Sequence, residues 1–318
     1  MHPLYQQALD LIRAWDSIIL HRHAMPDGDA IGAQLGLARL LRENFPQKEI
    51  HLTGDSAARF AFLPDAQPEE LPDALFPQSL CLILDCGGPA LIADQRWQQA
   101  GATIRFDHHL FQEVIAQVDI SDSSFESTCG LLTDFALACG LKLSSASALP
   151  LYMGMVTDSG RFRYDATTPR TLRLAATLLE QGLDTNSLYR ELYANSLEQV
   201  QQRAYFTGKI QFTPGGVAYL KNTAEEIQRL GMELFDVSRG MIGVMADLKG
   251  VRIWANFTEA PEGIYTELRS SDLTVQPIAV KYGGGGHAKA CGATLHAWEE
   301  ADAMLKDLDI LLEEKHHE

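Results

Sequence analysis

Cysteine is scarce, and the five present (Cys81, Cys86, Cys129, Cys139 and Cys291) form no C-x-x-C pair. That excludes a zinc ribbon, a dithiol redox motif and a disulfide-stapled scaffold, and it predicts a reducing, cytoplasmic setting. No apolar run approaches the ~18 residues of a membrane span, so no membrane partner is expected. The opening MHPLYQQALDLIRAWDS lacks a basic stretch followed by an apolar core, so it reads as an amphipathic helix rather than a secretory signal. Positive charge is also short. Against 42 Asp+Glu stand 26 Lys+Arg, a net charge of -16. A protein that grips duplex nucleic acid through a basic face would carry the opposite balance. Neither half makes up the deficit: residues 1–205 hold 15 Lys+Arg and 25 Asp+Glu, which leaves 11 and 17 for the rest.

What is present is an ordinary globular composition, 46% hydrophobic and 21% charged over 318 residues, a length that suits two domains. The first part alternates strands (Ser17–His23, Leu80–Asp85, Thr103–Asp107) with helices (Asp29–Glu43, Thr128–Cys139, Ala148–Val156, Thr168–Gln181). Fully apolar runs such as LCLIL belong to strands buried on both faces. The pattern predicts an α/β fold, a parallel sheet with helices on both faces. A polar stretch at 195–208 reads as a connecting helix. Beyond it strands predominate: Lys209–Thr213, Val217–Leu220, Gly240–Leu248, Val251–Phe257 and Ile264–Arg269, with helices at Ala224–Leu230 and Trp298–Glu313. The expected division is therefore 1–194, a linker at 195–208, and a smaller α+β domain with a mixed sheet at 209–318.

Four segments bring metal-type residues to a strand end or a helix end. They are His23-Ala-Met-Pro-Asp27-Gly-Asp29, Asp85, Asp107-His108-His109, and Asp158 in VTDSG. In open parallel sheets the ligand site lies beyond the carboxyl ends of the strands, where three of the four would converge. Imidazole plus carboxylate without thiolate favours Mn²⁺, Fe²⁺ or Mg²⁺ over a structural zinc cage. Two histidines and four carboxylates are too many for one ion with an open position. They suit two ions ~3.5–4 Å apart sharing a carboxylate, an arrangement that activates water and clamps phosphoryl oxygens. Taken singly, each segment has a plainer reading: Asp-Gly-Asp is usually a turn or helix cap, and a histidine at a strand end is usually structural. Their conjunction carries the argument.

A second signal is Lys281-Tyr-Gly-Gly-Gly-Gly-His287-Ala-Lys289. Glycines ahead of a helix-like segment would expose backbone N–H groups to phosphate oxygens; the plainer reading is a flexible loop. Arg269-Ser270, ending a strand upstream, could add a bidentate phosphate contact.

HAMPDGDAIGAQ, LILDCG, FDHH and TDSGRF, in this order, resemble the four motifs of the DHH phosphoesterase superfamily. KYGGGGHAKACGA resembles the glycine-rich motif of the C-terminal domain that accompanies it. The resemblance spans nearly the whole chain and points to the oligoribonuclease and 3′-phosphoadenosine 5′-phosphate phosphatase branch. It implies two divalent cations, foremost Mn²⁺: His23 and Asp27 on one, Asp29, His108 and Asp158 on the other, and Asp85 on both. It implies that His109 faces the substrate phosphate while Asp107 steadies the histidines from behind. Arg269, Ser270, Gly284, Gly285, Gly286 and His287 would hold the far end of the substrate across an interdomain cleft, with Arg161 as a further phosphate contact. The implied substrate is short RNA or a linear dinucleotide, with a cyclic dinucleotide, or pyrophosphate or polyphosphate, as the alternatives; a homodimer is compatible with it. Met25, Cys291 and Ser159 stand where the family often has Asn, Ala and Thr, positions that bear on substrate preference rather than on the ligand set.

Overall fold

Strand-forming runs of branched apolar residues set up the first of two units into which the chain divides, Met1–Tyr193 and Ala194–Glu318. The computed structural model describes residues 3–63 and 65–314. In the first unit five strands, β1 (Ser17–Arg22), β2 (Glu49–Leu52), β3 (Leu80–Leu84), β4 (Ala102–Asp107) and β5 (Val118–Ser121), form a wholly parallel sheet in the order β2-β1-β3-β4-β5. Ile18 pairs with Leu80 and Leu82 with Ile104, so alternate side chains of the three central strands share a face. That face packs on five helices: α1 (Tyr5–Ala14), α2 (Gly28–Asn44), α3 (Thr128–Ala138), α4 (Ser145–Asp158) and α5 (Pro169–Leu179). A sixth, α6 (Thr185–Tyr193), closes the unit.

The opposite face, with Ile19, Cys81 and Ile83, is covered by short 3-10 helices at Asp73–Gln78 and Gln95–Gln99 through Phe76 and Trp97. Helices thus lie on both faces, but only one set is α-helical. Proline at 68, 72, 77 and 89 punctuates the connections on the second side, and each removes a donor that a longer helix needs. The edge strands β2 and β5 escape a reading of apolar runs because each is four residues long and alternates buried with less buried positions.

Helices α2 and α4 approach closely because α2 presents glycine at 28, 32 and 36. A β-carbon at Gly32 would sit 2.5 Å from the Pro150 carbonyl oxygen and 3.0 Å from the Gly154 nitrogen. This contact fixes where the two helix ends, and the acids they carry, come to lie.

The second unit is a six-stranded mixed sheet, β10-β11-β9-β8-β7-β6. Its strands are β6 (Gln211–Phe212), β7 (Ala218–Asn222), β8 (Ile253–Ala260), β9 (Gly263–Ser270), β10 (Gly285–His287) and β11 (Ala290–Leu295). Its helices are α7 (Leu197–Gly208), α8 (Ala224–Leu230), α9 (Gln276–Lys281) and α10 (Trp298–Glu314). Two expectations are corrected. Residues 240–248 are not a strand: a π-helical turn at Asp236–Gly240 leads into a 3-10 turn at Ile242–Met245. Val237, Met241, Ile242 and Met245 are the buried positions, a helical spacing rather than an alternation. The glycine run does not precede a helix; it ends one. The N–H of Gly284 donates to the Ala279 carbonyl and that of Gly283 to the Val280 carbonyl, with Gly283 at φ 76°, a Schellman closure of α9. The following glycines enter the edge strand β10, which pairs with β11.

Candidate metal centre

Every metal-type segment of the first unit ends on one rim of the parallel sheet. His23 follows β1, Asp85 follows β3, and Asp107 closes β4 with His108 and His109 directly after it. Asp27 caps α2, its Oδ1 accepting from the N–H groups of Asp29 and Ala30 at 3.0 Å each. Asp29 sits in the first turn of α2, and Asp158 is the last residue of α4. Asp85 holds the left-handed conformation at φ 56°, unusual for a residue other than glycine, while its N–H donates to the Phe106 carbonyl at 3.0 Å. Strain of this kind persists where surrounding structure over-determines it, often at functional sites.

Donor atoms fall into groups within 4.8 Å of one another: His23, Asp27 and Asp85; and Asp29, His108 and Asp158. Asp85 joins them. Its Oδ2 lies 3.7 Å from His23 Nε2, and its Oδ1 lies 3.7 Å from His108 Nε2. His108 Nε2 is also 3.3 Å from Asp158 Oδ2 and 4.0 Å from Asp29 Oδ2. The six residues that the sequence singled out as ligands are thus brought together, His23 and Asp27 on one side of the Asp85 carboxylate and Asp29, His108 and Asp158 on the other.

So many acids in one buried place do not all ionise at neutral pH. Burial, then the charges of Asp85 and Asp158, push Asp29 well above the carboxylate range. Burial likewise raises Asp85, against His108, and lifts Asp158 to about 7 against the same imidazole. Asp27 is the exception: burial works against it, but His23 and the α2 N–H groups hold it at about 2. His23 is raised despite its burial, by Asp27 and the Ala24 carbonyl. Retained protons on oxygen donors are what divalent cations displace, and hard oxygen with imidazole is a suitable donor set for them. The residues present therefore fit a pair of such ions.

Support from α3 was not visible in the sequence. The N–H groups of Thr128 and Cys129 donate to the two oxygens of Asp29 at 2.7 and 3.0 Å, and Thr128 Oγ1 donates to Asp85 Oδ1 at 3.0 Å. Ser127 reads as a helix cap, its Oγ accepting from Gly130 N, but nothing in the sequence says that the helix it opens is aimed at acids about a hundred residues earlier.

His109 Nδ1 is 2.7 Å from Asp107 Oδ1 and 3.7 Å from Asp85 Oδ1. Asp107 therefore steadies His109 alone by hydrogen bonding, and its second oxygen faces Arg105 at 3.8 Å. The pairing with Asp107, against burial, raises His109 to about 9. Asp107→Asn should lower the His109 pKa of the metal-free protein towards the ordinary ~6.5. Titration of the imidazole by nuclear magnetic resonance checks this; an unmoved value would mean that the charges of Asp85 and Asp158, not Asp107, hold it up.

The other expected site residues are not members of these donor groups. Arg161 follows Asp158 by three residues at φ 64°, its guanidinium 4.9 Å from the Tyr193 ring centre. In the second unit Arg269 gives Nη1 to Glu267 Oε2 at 3.0 Å and to the Leu268 carbonyl at 2.9 Å. Ser270, next along β9, is not brought to the Arg269 face. It turns to the buried face, where its Oγ accepts from the N–H groups of Asp272 and Leu273. Gly284 belongs to the closure of α9, Gly285 and Gly286 to β10, and the side chain of His287 is outside the described part.

The DHH family N-terminal domain matches residues 17–155 and the DHHA1 domain residues 231–314. The bifunctional oligoribonuclease and PAP phosphatase NrnA of Bacillus subtilis is 30% identical over 95% of this chain and 97% of its own length.

The chain belongs to the DHH family.

A second bifunctional oligoribonuclease and PAP phosphatase NrnA, from Mycoplasma pneumoniae, is 32% identical over 95% of this chain and 94% of its own. An exopolyphosphatase-related protein from Bacteroides fragilis shares the fold, with a TM-score of 0.88, 24% identity and 98% of each chain covered. Within the DHH match lie His23, Asp27, Asp29, Asp85, Asp107, His108 and His109, together with the start of α3. Arg239, Arg269 and the glycine run fall within the DHHA1 match.

Proposed function

We propose that the protein is a divalent-metal-dependent phosphoesterase that cleaves short oligoribonucleotides and linear dinucleotides to mononucleotides, and that also takes 3′-phosphoadenosine 5′-phosphate to AMP. The observation that carries this reading is Asp85, whose two oxygens face two separate donor groups. The activity for which the relatives are named, matched over nearly their whole length, supports it. His23 and Asp27 would hold one ion, Asp29, His108 and Asp158 the other, and Asp85 both; Mn²⁺ suits the donors best. When bound, such ions lend Lewis acidity to a phosphoryl group and make water a competent nucleophile at neutral pH.

The protein's own groups do the rest. Asp85, Asp29 and Asp158 must shed their protons for the ions to enter, which makes loading favour higher pH. Asp107 fixes His109 through Nδ1 and keeps it cationic, so that Nε2–H is left to donate to a phosphoryl or leaving-group oxygen. On this reading the enzyme is cytoplasmic, a setting with which five free cysteines are compatible.

The test is a panel of graded short RNAs, linear and cyclic dinucleotides, 3′-phosphoadenosine 5′-phosphate and pyrophosphate, each with Mn²⁺ or Mg²⁺. Turnover of linear dinucleotides and the bisphosphate, abolished by chelation, is expected. Turnover of pyrophosphate or cyclic dinucleotide alone would overturn the reading. Arg269→Ala should raise KM for dinucleotides by about 10–100-fold with kcat little changed, the worth of a charge-assisted contact made equally before and during the reaction. An unchanged KM would remove Arg269 from substrate binding.

A further inference from the structure

One face of the second sheet is half covered, and the uncovered half is built like a nucleotide platform. Register places Asn256, Glu267, Gly292 and Gly285 in one row across β8, β9, β11 and β10. The next row on the same face runs through Trp254, Arg269 and Ala290. Over the Asn256 end sits the π-turn. Asn256 Nδ2 donates to the carbonyls of Val237 and Ser238 at 2.7 Å each, and Asn256 Oδ1 is in turn held by Asn222 Nδ2 at 2.7 Å. Both asparagines are fully buried. A buried amide pair of this kind fixes a turn in one place, and π-turns recur at functional sites.

The turn delivers Arg239, whose Nε donates to Glu267 Oε1 at 3.0 Å, while Arg269 Nη1 forms an ion pair with Oε2 of the same carboxylate at 3.0 Å. Two guanidinium groups are therefore held side by side by one acid, with a local charge of +1. Beyond Glu267 the row continues through Gly292, where a β-carbon would meet the Thr266 carbonyl oxygen at 2.5 Å so that packing itself calls for glycine, and then Gly285. At Gly285 a β-carbon would meet nothing within 4 Å, and its φ is not in the left-handed region, so neither packing nor backbone geometry calls for glycine. A bare floor that a ligand must approach closely does. Phe235, 61% exposed, stands beside Arg239 with its ring centre 5.5 Å from the guanidinium carbon.

We infer that Arg239 is a substrate-binding residue, the second half of an arginine pair that takes the terminal phosphomonoester of a nucleotide whose base lies against Phe235. A monoester carries more charge than the internal diester and can engage both forks, so the pair selects phosphorylated ends. Aromatic faces accept any base, which fits a platform without base preference. The inference rests on the function proposed above, and its test is separable from it.

Two measurements decide it, both on the full chain. In the metal-free protein, calorimetry with AMP and with ribose 5-phosphate should show Arg239→Ala weakening both by about tenfold, and Phe235→Ala weakening AMP alone. With metal, Arg239→Ala should raise KM about tenfold for a 5′-phosphorylated dinucleotide and leave KM for the unphosphorylated one unchanged, with Arg239→Lys recovering part of the loss. Equal effects on both dinucleotides, or undiminished AMP binding, would overturn the assignment. If the wild-type protein turned over no nucleotide, the function proposed above would fall while the AMP titrations still judged the platform.

Discussion

Asp85→Asn is expected to cut turnover by about 10³-fold or more while leaving the metal-free protein folded and no less stable. The catalytic half follows from position: Asp85 is the only described carboxylate with one oxygen towards each donor group, so its loss would weaken both proposed ion sites at once. About 4 kcal/mol of transition-state stabilisation suffices for that factor. The stability half follows from electrostatics and backbone geometry. Asparagine tolerates the left-handed conformation that residue 85 adopts. The variant also removes the charge that does most, after burial, to raise Asp29.

The sign of the pH dependence can be worked out. Carboxyls raised in the fold bind more protons when native than when unfolded, so their contribution is full below ~4 and is lost as pH rises through the folded value. For Asp158 that window runs from the ordinary carboxylate range to about 7. Without metal, the wild-type protein should therefore lose stability across this window, and Asp85→Asn should flatten the loss. Melting temperatures in chelator from pH 4 to 8 measure the slope. A variant that melts lower than wild type at pH 7, or turns over within tenfold of it, would remove Asp85 from the shared position.

The sequence makes the candidate metal centre legible for a physical reason: its proposed ligands sit at strand ends and helix ends, where apolar runs stop and polar residues begin, and the parallel sheet sends those ends to one rim. Asp158 needed one more step, a helix end aimed at the same place, and the α2–α4 glycine contact supplies it. Thr128 is different in kind. Its hydroxyl and N–H serve Asp85 and Asp29, a relation between residues 43 and 99 positions apart that no local pattern encodes. The second unit was harder for a related reason. A π-turn running into a 3-10 turn has no single familiar periodicity, so GMIGVMADL looks like a strand until its buried positions are known. Ser270 illustrates period two: adjacent to Arg269, it necessarily faces the other way. The glycine run suggested backbone donors, but its first two glycines are spent on ending α9.

Gly154→Ala should destabilise the protein by about 1–3 kcal/mol and weaken divalent-ion binding, although alanine is the better helix former. Gly154 lies inside α4, where a β-carbon would overlap Cys129 Sγ and come 2.7 Å from Asp29 Oδ1. Alanine gains ~1 kcal/mol of helix propensity, and overpacking against two buried, hydrogen-bonded neighbours costs more. Neither neighbour can step aside cheaply, because Asp29 is pinned by the Thr128 and Cys129 N–H groups. Gly36 shows the contrast: its β-carbon would meet the side chain of Leu151, which can rotate away. Gly208, with nothing within 4 Å, is the control, and Gly208→Ala should be neutral or stabilising. Adding Cys129→Ala to Gly154→Ala removes the nearest clash and should restore part of the stability. It should not restore ion affinity, since the β-carbon still displaces the Asp29 carboxylate. Urea unfolding of the metal-free proteins and Mn²⁺ calorimetry separate the two effects. If ion affinity recovered together with stability, the glycine would be setting helix packing alone, and the link from the α2–α4 contact to the metal centre would fail.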